Sequence, residues 1–392
     1  MPTDTDVTTR ENPGFLVLWL TMASPLQDPV PLHLVRRALV TKLRHHGDVL
    51  LASPVFTALA RAAPGIEIDA LVYLETAPML TGHPAIAQLH TIDRGWKKRG
   101  VLAQARAEWA LLRTLRARHF DLLIHLTEHP RGLALARLLR PRWSVTRERE
   151  KRAALWRRHF THFYRLPART ERHVVEQNLD ALRRIGVYPD EADRRLVMVP
   201  GAAALQKVAA LLAEHGVAPR EFVQVHPGSR WLFKCWPAER TAALLDLIVA
   251  DGFAVVVTGA PDDRERALTT AVLAAVRPAT LPRVANFTGA LSMPELAALT
   301  ACARAFAGVD SAPMHIAAAM GTPALALFGP SSEFAWGPWR VAQRVVASPQ
   351  YSCRPCGLDG CGGGKVSECL TTLPVERVHA ALDSLLAETR RG

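Results

Sequence analysis

The chain has 392 residues, more than the roughly 250–300 at which a single hydrophobic core stops growing, so two domains are expected. With 49% hydrophobic and 21% charged residues it is neither disordered nor fibrous, and its six cysteines form no small disulfide frame. A net charge of +12 draws the protein to polyanions: nucleic acid, an anionic membrane surface or a phosphorylated substrate.

The early apolar run, residues 15–26, is shorter than the roughly 20 residues needed to cross a bilayer. Acidic residues precede it and no clear cleavage site follows, so a secretory leader is disfavoured and residues 1–34 read as an irregular extension. The composition fits a reducing cytoplasm.

Folded structure is expected from Arg37-Ala-Leu-Val-Thr-Lys42, a short apolar strand. A polar turn, a helix over 49–63 closed by Pro64-Gly65, and a strand over 66–73 complete a βαβ unit. The grammar repeats with a strand over 86–92, a long basic helix over 101–117 and a strand over 120–126, which predicts a parallel sheet covered by helices. Residues 137–172 then hold 12 Lys/Arg against 3 Asp/Glu, with Trp143, Trp156 and Phe160 interleaved, and form a candidate basic patch.

A helix over 173–185 runs into Gly186-Val-Tyr-Pro-Asp190, where turn formers mark a junction near 186–200. Beyond it, strands over 222–226, 253–259, 305–309 and 324–328 restart the pattern. The chain thus divides into an extension (1–34), a first doubly wound α/β domain (35–188) and a second one (200–392). Ligands of such sheets bind at the carboxyl ends of the strands, so chemistry belongs in the loops there.

The first such loop is Lys42-Leu-Arg-His-His-Gly-Asp48, whose Asp48 is either a general base or a helix cap. The second is His226-Pro-Gly-Ser-Arg-Trp-Leu-Phe-Lys-Cys-Trp-Pro237, where Ser229, Arg230 and Lys234 can hold a diphosphate through charge-assisted bonds, unless the loop is simply solvated. The third, Asp310-Ser-Ala-Pro-Met-His315, opens a helix with Pro313 in its first turn; its amides offer an anion site, or Asp310 only caps it. In Gly259-Ala-Pro-Asp-Asp263, Asp263 is a weaker candidate for meeting a base or ribose. Cys353, Cys356, Cys361 and Cys369 can supply four thiolates to a structural zinc, with free thiols as the alternative; no carboxylate or His set accompanies them to make a catalytic site.

Taken together, the chain resembles glycosyltransferase family 9, the bacterial heptosyltransferases. The resemblance runs from about Arg37 to the end and rests on Thr41-Lys-Leu-Arg-His-His-Gly-Asp-Val-Leu50, the 226–237 loop, and Gly308-Val-Asp-Ser-Ala-Pro-Met-His315 with Phe328-Gly-Pro330. It implies a GT-B fold, two Rossmann-like domains facing a central cleft, with a C-terminal helix, residues 375–390, folding back towards the first domain. It also implies the donor ADP-L-glycero-β-D-manno-heptose, no required cofactor, and a phosphorylated lipid A–core acceptor reached from the cytoplasmic side of an anionic inner membrane, with no nucleic-acid partner.

The Arg44-His-His46 wording is similar to the type III branch, which adds a branching heptose. On the family's pattern Asp48 matches the catalytic base, Lys234 the diphosphate lysine and Asp310 the residue holding the donor sugar. Ser229, Ser311 and His315 fall beside them, and Lys42, Arg44, His45 and His46 would face the acceptor. The chain departs from the family in carrying Gly228-Ser229 and Trp231-Leu-Phe233 before the lysine. Rival readings are a relative using another nucleotide sugar, a sugar-nucleotide epimerase of similar architecture, and a non-catalytic basic binding protein.

Overall fold

Strands of a parallel sheet are covered on both faces and so read as short apolar runs rather than alternating ones. In the computed structural model, which describes residues 28–148, 153–166 and 171–390, such runs form two six-stranded parallel sheets. The first holds β1 (Arg37–Thr41), β2 (Glu67–Tyr73), β3 (Gln88–Ile92), β4 (Leu122–His125), β5 (Trp143–Arg147) and β6 (His162–Tyr164), in the order β3-β2-β1-β4-β5-β6. The second holds β7 (Phe222–His226), β8 (Ala254–Val257), β9 (Val284–Asn286), β10 (Ala305–Val309), β11 (Ala324–Phe328) and β12 (Gln343–Ala347), in the order β12-β11-β10-β7-β8-β9. Counted from its own first strand, the second sheet repeats the first. The winding direction reverses between β1 and β4 in one domain and between β7 and β10 in the other, which makes those two edges the binding crevices.

Several elements differ from the sequence reading. The helix expected over 49–63 is two, His46–Leu50 and Ser53–Ala62, because Pro54 has no N–H to offer Leu50 and its ring crowds that carbonyl. β5 and β6 lie inside the stretch taken as a basic patch; Trp156 and Phe160 are buried in the core on one face of the first sheet, and Trp143 packs against the core on the other. That aromatic interleaving is therefore core packing and not a recognition surface. Of its cations, Arg147 pairs with Glu128, Arg157 and Arg165 with Glu148, and Arg172 with Asp180.

Residues 28–34, assigned to the extension, are tied to the first domain: Val30 is buried in its core and donates its amide to the Ile185 carbonyl (3.1 Å), while Asp28 pairs with Arg184. The apolar run at 15–26 lies outside the described residues. Helix Val375–Glu388 buries Val378, Leu382, Leu385 and Leu386, one stripe at helical spacing, against helix Ala238–Ala250, β11 and β12. It completes the second core, whereas the resemblance implied a return towards the first domain. No helix among the described residues is long and apolar enough to cross a membrane.

The two domains are closed on each other. Leu296, Ala297, Ile316 and Ala318 of the second are buried within the first domain's core cluster, and Trp336 and Trp339 pack on its edge. The seam is pinned by polar bonds: Trp339 Nε1 donates to the Arg194 carbonyl (2.7 Å) and His173 Nε2 to that of Gly337 (3.0 Å). His173 also stacks on Trp339 and caps helix Val174–Arg183, its Nδ1 accepting from the Val175 amide. Both ring nitrogens are committed to the neutral tautomer, and burial lowers the pKa to about 4.

A histidine held neutral in the fold but free to charge when unfolded loses its stabilising contribution as pH falls from about 6.5 towards 4. We expect the urea midpoint to drop over that window. His173→Asn keeps a cap acceptor without the titration, so its midpoint should be lower at pH 7 yet fall less steeply on acidification, by up to about 1.4 kcal/mol per pH unit. Parallel curves for both proteins would show that His173 does not carry the effect.

Candidate functional site

β1 delivers the loop 42–48 to the reversal edge of the first sheet. Asp48 sits in the first turn of helix His46–Leu50, with its side chain 14% exposed and Arg44 Nε 3.7 Å away. It is not the cap: that position is His45, whose side chain makes no capping bond. The carboxylate is thus held at the seam without being used to close a helix. Gly47 beside it allows the approach of the second domain, since a Cβ there would lie 2.8 Å from the His315 ring.

From the second sheet, β7 leads into the loop carrying Ser229, Arg230 and Lys234, and the neighbouring β10 leads into Asp310 and helix Ala312–Ala319. Lys234 Nζ donates to Asp310 Oδ2 at 2.6 Å, with the carboxylate only 8% exposed. Ser229 is buried; its hydroxyl donates to the Asp310 carbonyl (3.3 Å) and accepts from the Trp231 amide (3.4 Å), so it locks one loop to the other. Ser311 occupies the N-cap position of the helix but its Oγ makes no capping bond; it is buried and unpartnered, as is Nδ1 of His315. Two buried polar atoms without partners at one helix start are unusual, and a bound polar ligand would resolve them.

Burial lowers His315 to a pKa of about 4, although Asp310 and Asp48 both pull it upward. The imidazole is therefore neutral at physiological pH and stands within the fields of both carboxylates, one from each domain. Arg230, which is exposed, reaches across the seam and donates Nη1 to His45 Nδ1 at 2.9 Å. The structure thus brings together Asp48, His45, Ser229, Arg230, Lys234, Asp310, Ser311 and His315.

The remaining candidates are placed differently. Lys42, expected to face an acceptor, is buried beneath the loop, donating to Asn178 Oδ1 (2.8 Å) and the Leu126 carbonyl (3.2 Å). Burial lowers its pKa to about 8, against the opposing pull of Asp48, so its charge supports the loop from below. His46 donates Nε2 to the Glu75 carbonyl (2.7 Å), whereas Arg44 is exposed at the loop's rim. Asp263 lies exposed at the start of helix Asp263–Ala275, capped by Asp262. The acid from this segment that meets the 226–237 loop is Glu265: it is buried, accepts from the Ala260 amide (2.7 Å), lies 3.5 Å from His226 Nε2, and would be struck by a Cβ at Gly228.

Neither Glu265 nor Gly47 was distinguishable in sequence from an ordinary helix residue and an ordinary turn glycine. Three of the four clustered cysteines are exposed and only Cys369 is buried. Burial raises the Cys369 thiol pKa and the neighbouring Cys361, Cys356 and Cys353 raise it further, so the four share one neighbourhood, although among the described residues the close-set ligand group is Asp251, His379 and Asp383. Of the two readings the spacing allowed, structural zinc or free thiols, the structure shows four neighbouring thiols that are not closed into a ligand set.

The family model for glycosyltransferase family 9 (heptosyltransferase) matches residues 108–366. The chain belongs to this family. It is 32% identical over 351 residues to lipopolysaccharide heptosyltransferase 3 of Escherichia coli, covering 89% of this chain and 99% of that one. Against lipopolysaccharide heptosyltransferase 1 of Pseudomonas aeruginosa the figure is 28% over 367 residues, covering 89% and 98%. Among solved structures, a family 9 glycosyl transferase from Veillonella parvula superposes with a TM-score of 0.78 at 23% identity, covering 90% of this chain and 98% of that one. The E. coli ADP-heptose lipopolysaccharide heptosyltransferase II gives 0.72 at 19% identity, covering 90% and 99%. The fold is GT-B, and the chain is a glycosyltransferase of this family.

The Lys234–Asp310 pair is mostly buried, so removing one partner strands the other. Lys234→Ala should destabilise the protein by about 1–3 kcal/mol, and adding Asp310→Asn should recover part of that loss. Additive losses in urea melts of the two single variants and the double variant would show that the pair is not coupled.

Proposed function

We propose that this chain is an inverting heptosyltransferase that moves L-glycero-D-manno-heptose from ADP-heptose to the phosphorylated inner core of lipopolysaccharide, with branching (type III) transfer as the specific reaction. The observation that carries the reading is the convergence of Asp48, from one domain, with Lys234, Asp310, Ser311 and His315, from the other, at the reversal edges of both sheets. Similarity to heptosyltransferase 3 of E. coli over most of both chains supports the subfamily.

In this mechanism Asp48 accepts the proton of the acceptor hydroxyl as that oxygen attacks the anomeric carbon, and ADP leaves from the opposite face. Inversion follows from a single displacement. Negative charge growing on the diphosphate meets Lys234, Arg230 and the amides that open helix Ala312–Ala319, while Asp310 fixes Lys234 and lies beside the donor sugar. Work is done at the cytoplasmic face of an anionic inner membrane, since the acceptor is lipid-linked. The decisive experiment is transfer from ADP-heptose to a defined truncated core acceptor with determination of the linkage formed; no product, or a retained configuration, rejects the proposal.

Asp48→Asn should lower kcat by about 10²-fold or more while leaving ADP affinity nearly unchanged. Near-normal turnover would remove Asp48 from the chemistry. Lys234→Ala should weaken ADP binding and slow transfer together, and undiminished calorimetric affinity for ADP would take Lys234 out of the donor site. Because protein cations neutralise the leaving group, transfer should persist in excess EDTA over an assay; immediate loss restored by magnesium or manganese would mean that a metal holds the diphosphate.

A further inference from the structure

Many cations of this basic chain are paired within the fold, but one segment combines unpaired cations with uncovered apolar side chains. Residues 94–117 contain Arg94, Lys97, Lys98, Arg99, Arg106, Arg113 and Arg116 against a single carboxylate, Glu108. Glu108 forms a bidentate pair with Arg131 of the neighbouring helix, which neutralises its charge. Lys97, Lys98 and Arg106 are exposed and carry no ion pair among the described residues.

The same segment bears the two most exposed large apolar side chains among the described residues, and an exposed tryptophan beside them. In helix Val101–Ala117, Leu102 is 88% exposed, Val101 84% and Trp109 60%. Only Leu115 is buried, with Leu111 partly so, which anchors the helix at its carboxyl end and leaves its first turns standing off the core. Val101, Ala105 and Trp109 recur at i, i+4 and i+8 and form one stripe, with Leu102 beside it and Arg106 and Arg113 as flanks. The Arg113 guanidinium lies 4.9 Å from the Trp109 ring centroid.

An apolar stripe with a tryptophan, bordered by unpaired cations, has the chemistry of an interfacial helix on an anionic bilayer: the stripe enters the boundary between headgroups and acyl chains, and the cations meet lipid phosphates. Its position fits that use. The turn Arg94–Arg99 follows the carboxyl end of β3, and Arg94 pairs with Glu75 (3.0 Å), whose carbonyl accepts from His46, two residues before Asp48. The segment therefore lies on the same edge of the first domain as the catalytic loop.

We propose that the turn Arg94–Arg99 and the amino-terminal half of helix Val101–Ala117 are the foot by which this protein docks on an anionic membrane, with Val101, Leu102 and Trp109 inserted. This locates the membrane contact away from residues 137–172, whose aromatic side chains Trp156 and Phe160 are core and which carry no comparable stripe of exposed apolar side chains among the described residues. The advantage to transfer rests on the lipid-linked acceptor of the preceding reading, but the docking does not.

The test is co-sedimentation of the full-length protein with vesicles of phosphatidylglycerol in phosphatidylcholine and with phosphatidylcholine alone. The protein should bind the anionic vesicles selectively and lose binding as salt rises. Val101→Glu/Leu102→Glu and Lys97→Glu/Lys98→Glu should each weaken binding more than about tenfold, while Arg137→Glu/Arg158→Glu changes it by less than about threefold. All three variants should keep the Tm and the transfer rate of the parent towards a delipidated, soluble core acceptor. Failure of the parent on that soluble acceptor would count against the proposed transfer and leave vesicle binding to stand on its own. The foot is overturned if the parent shows no anionic preference or if its variants bind like the parent. It is equally overturned if the Val101→Glu/Leu102→Glu change abolishes a self-association while no vesicle binding is seen, since the face would then join two copies of the chain.

Discussion

The contact on which the site depends is that of helix His46–Leu50 with helix Ala312–Ala319 across the domain seam. It exists because Gly47 has no side chain where the His315 ring passes. Around it, Ile316 and Ala318 bury themselves in the first domain's core, so closure is driven by apolar area as well as by hydrogen bonds. With the helices pressed together, a carboxylate from one sheet edge and an ammonium–carboxylate pair from the other share one space from which the surrounding apolar packing excludes much of the solvent. Electrostatic interactions there are stronger than at an open surface.

Burial also decides which groups carry charge. His315 and His173 line the seam as neutral rings, since desolvation disfavours the imidazolium by more than Asp310 and Asp48 favour it at His315, or the Gly337 carbonyl at His173. Lys42 is pulled down to about 8 by the same effect, while its bonds to Asn178 and the Leu126 carbonyl keep it in place. The first-domain loop is consequently braced by a buried lysine and presents Asp48 above it. The second-domain loops are braced by Ser229 and by the Lys234–Asp310 pair, which leaves the Ser311 hydroxyl and His315 Nδ1 as the buried groups still without a partner. Such groups are costly to leave unbonded, and they lie where the amides of a helix start already favour an anion.

The distribution of positive charge follows a division of labour that net charge conceals. In β5, β6 and their surroundings, arginines are spent on Glu128, Glu148 and Asp180, tying neighbouring elements of the first domain together. In the segment that begins at Arg94, several cations are instead left facing outward beside uncovered apolar side chains. Two stretches of similar composition thus have different physical roles, because one threads a sheet edge and the other stands off it.

Much of this architecture was legible in sequence. Short apolar runs alternating with helical stretches on both sides of a turn-rich junction dictate two doubly wound parallel sheets, since that pattern buries its apolar residues in no simpler way. Strand-end loops follow from the winding, and the polar residues crowded into 42–48, 226–237 and 310–315 mark them as candidate sites. Tertiary structure alone decided the rest. Lys42 and Asp48 sit six residues apart in one loop, yet one is buried under it and the other faces the seam, because side-chain direction depends on what packs behind the loop. Glu265 and Gly47 gain meaning only from what approaches them, Gly228 and His315, and linear order holds no record of that approach. Pattern along the chain fixes which surfaces must be buried; which polar groups then face one another is set by the closure of two domains.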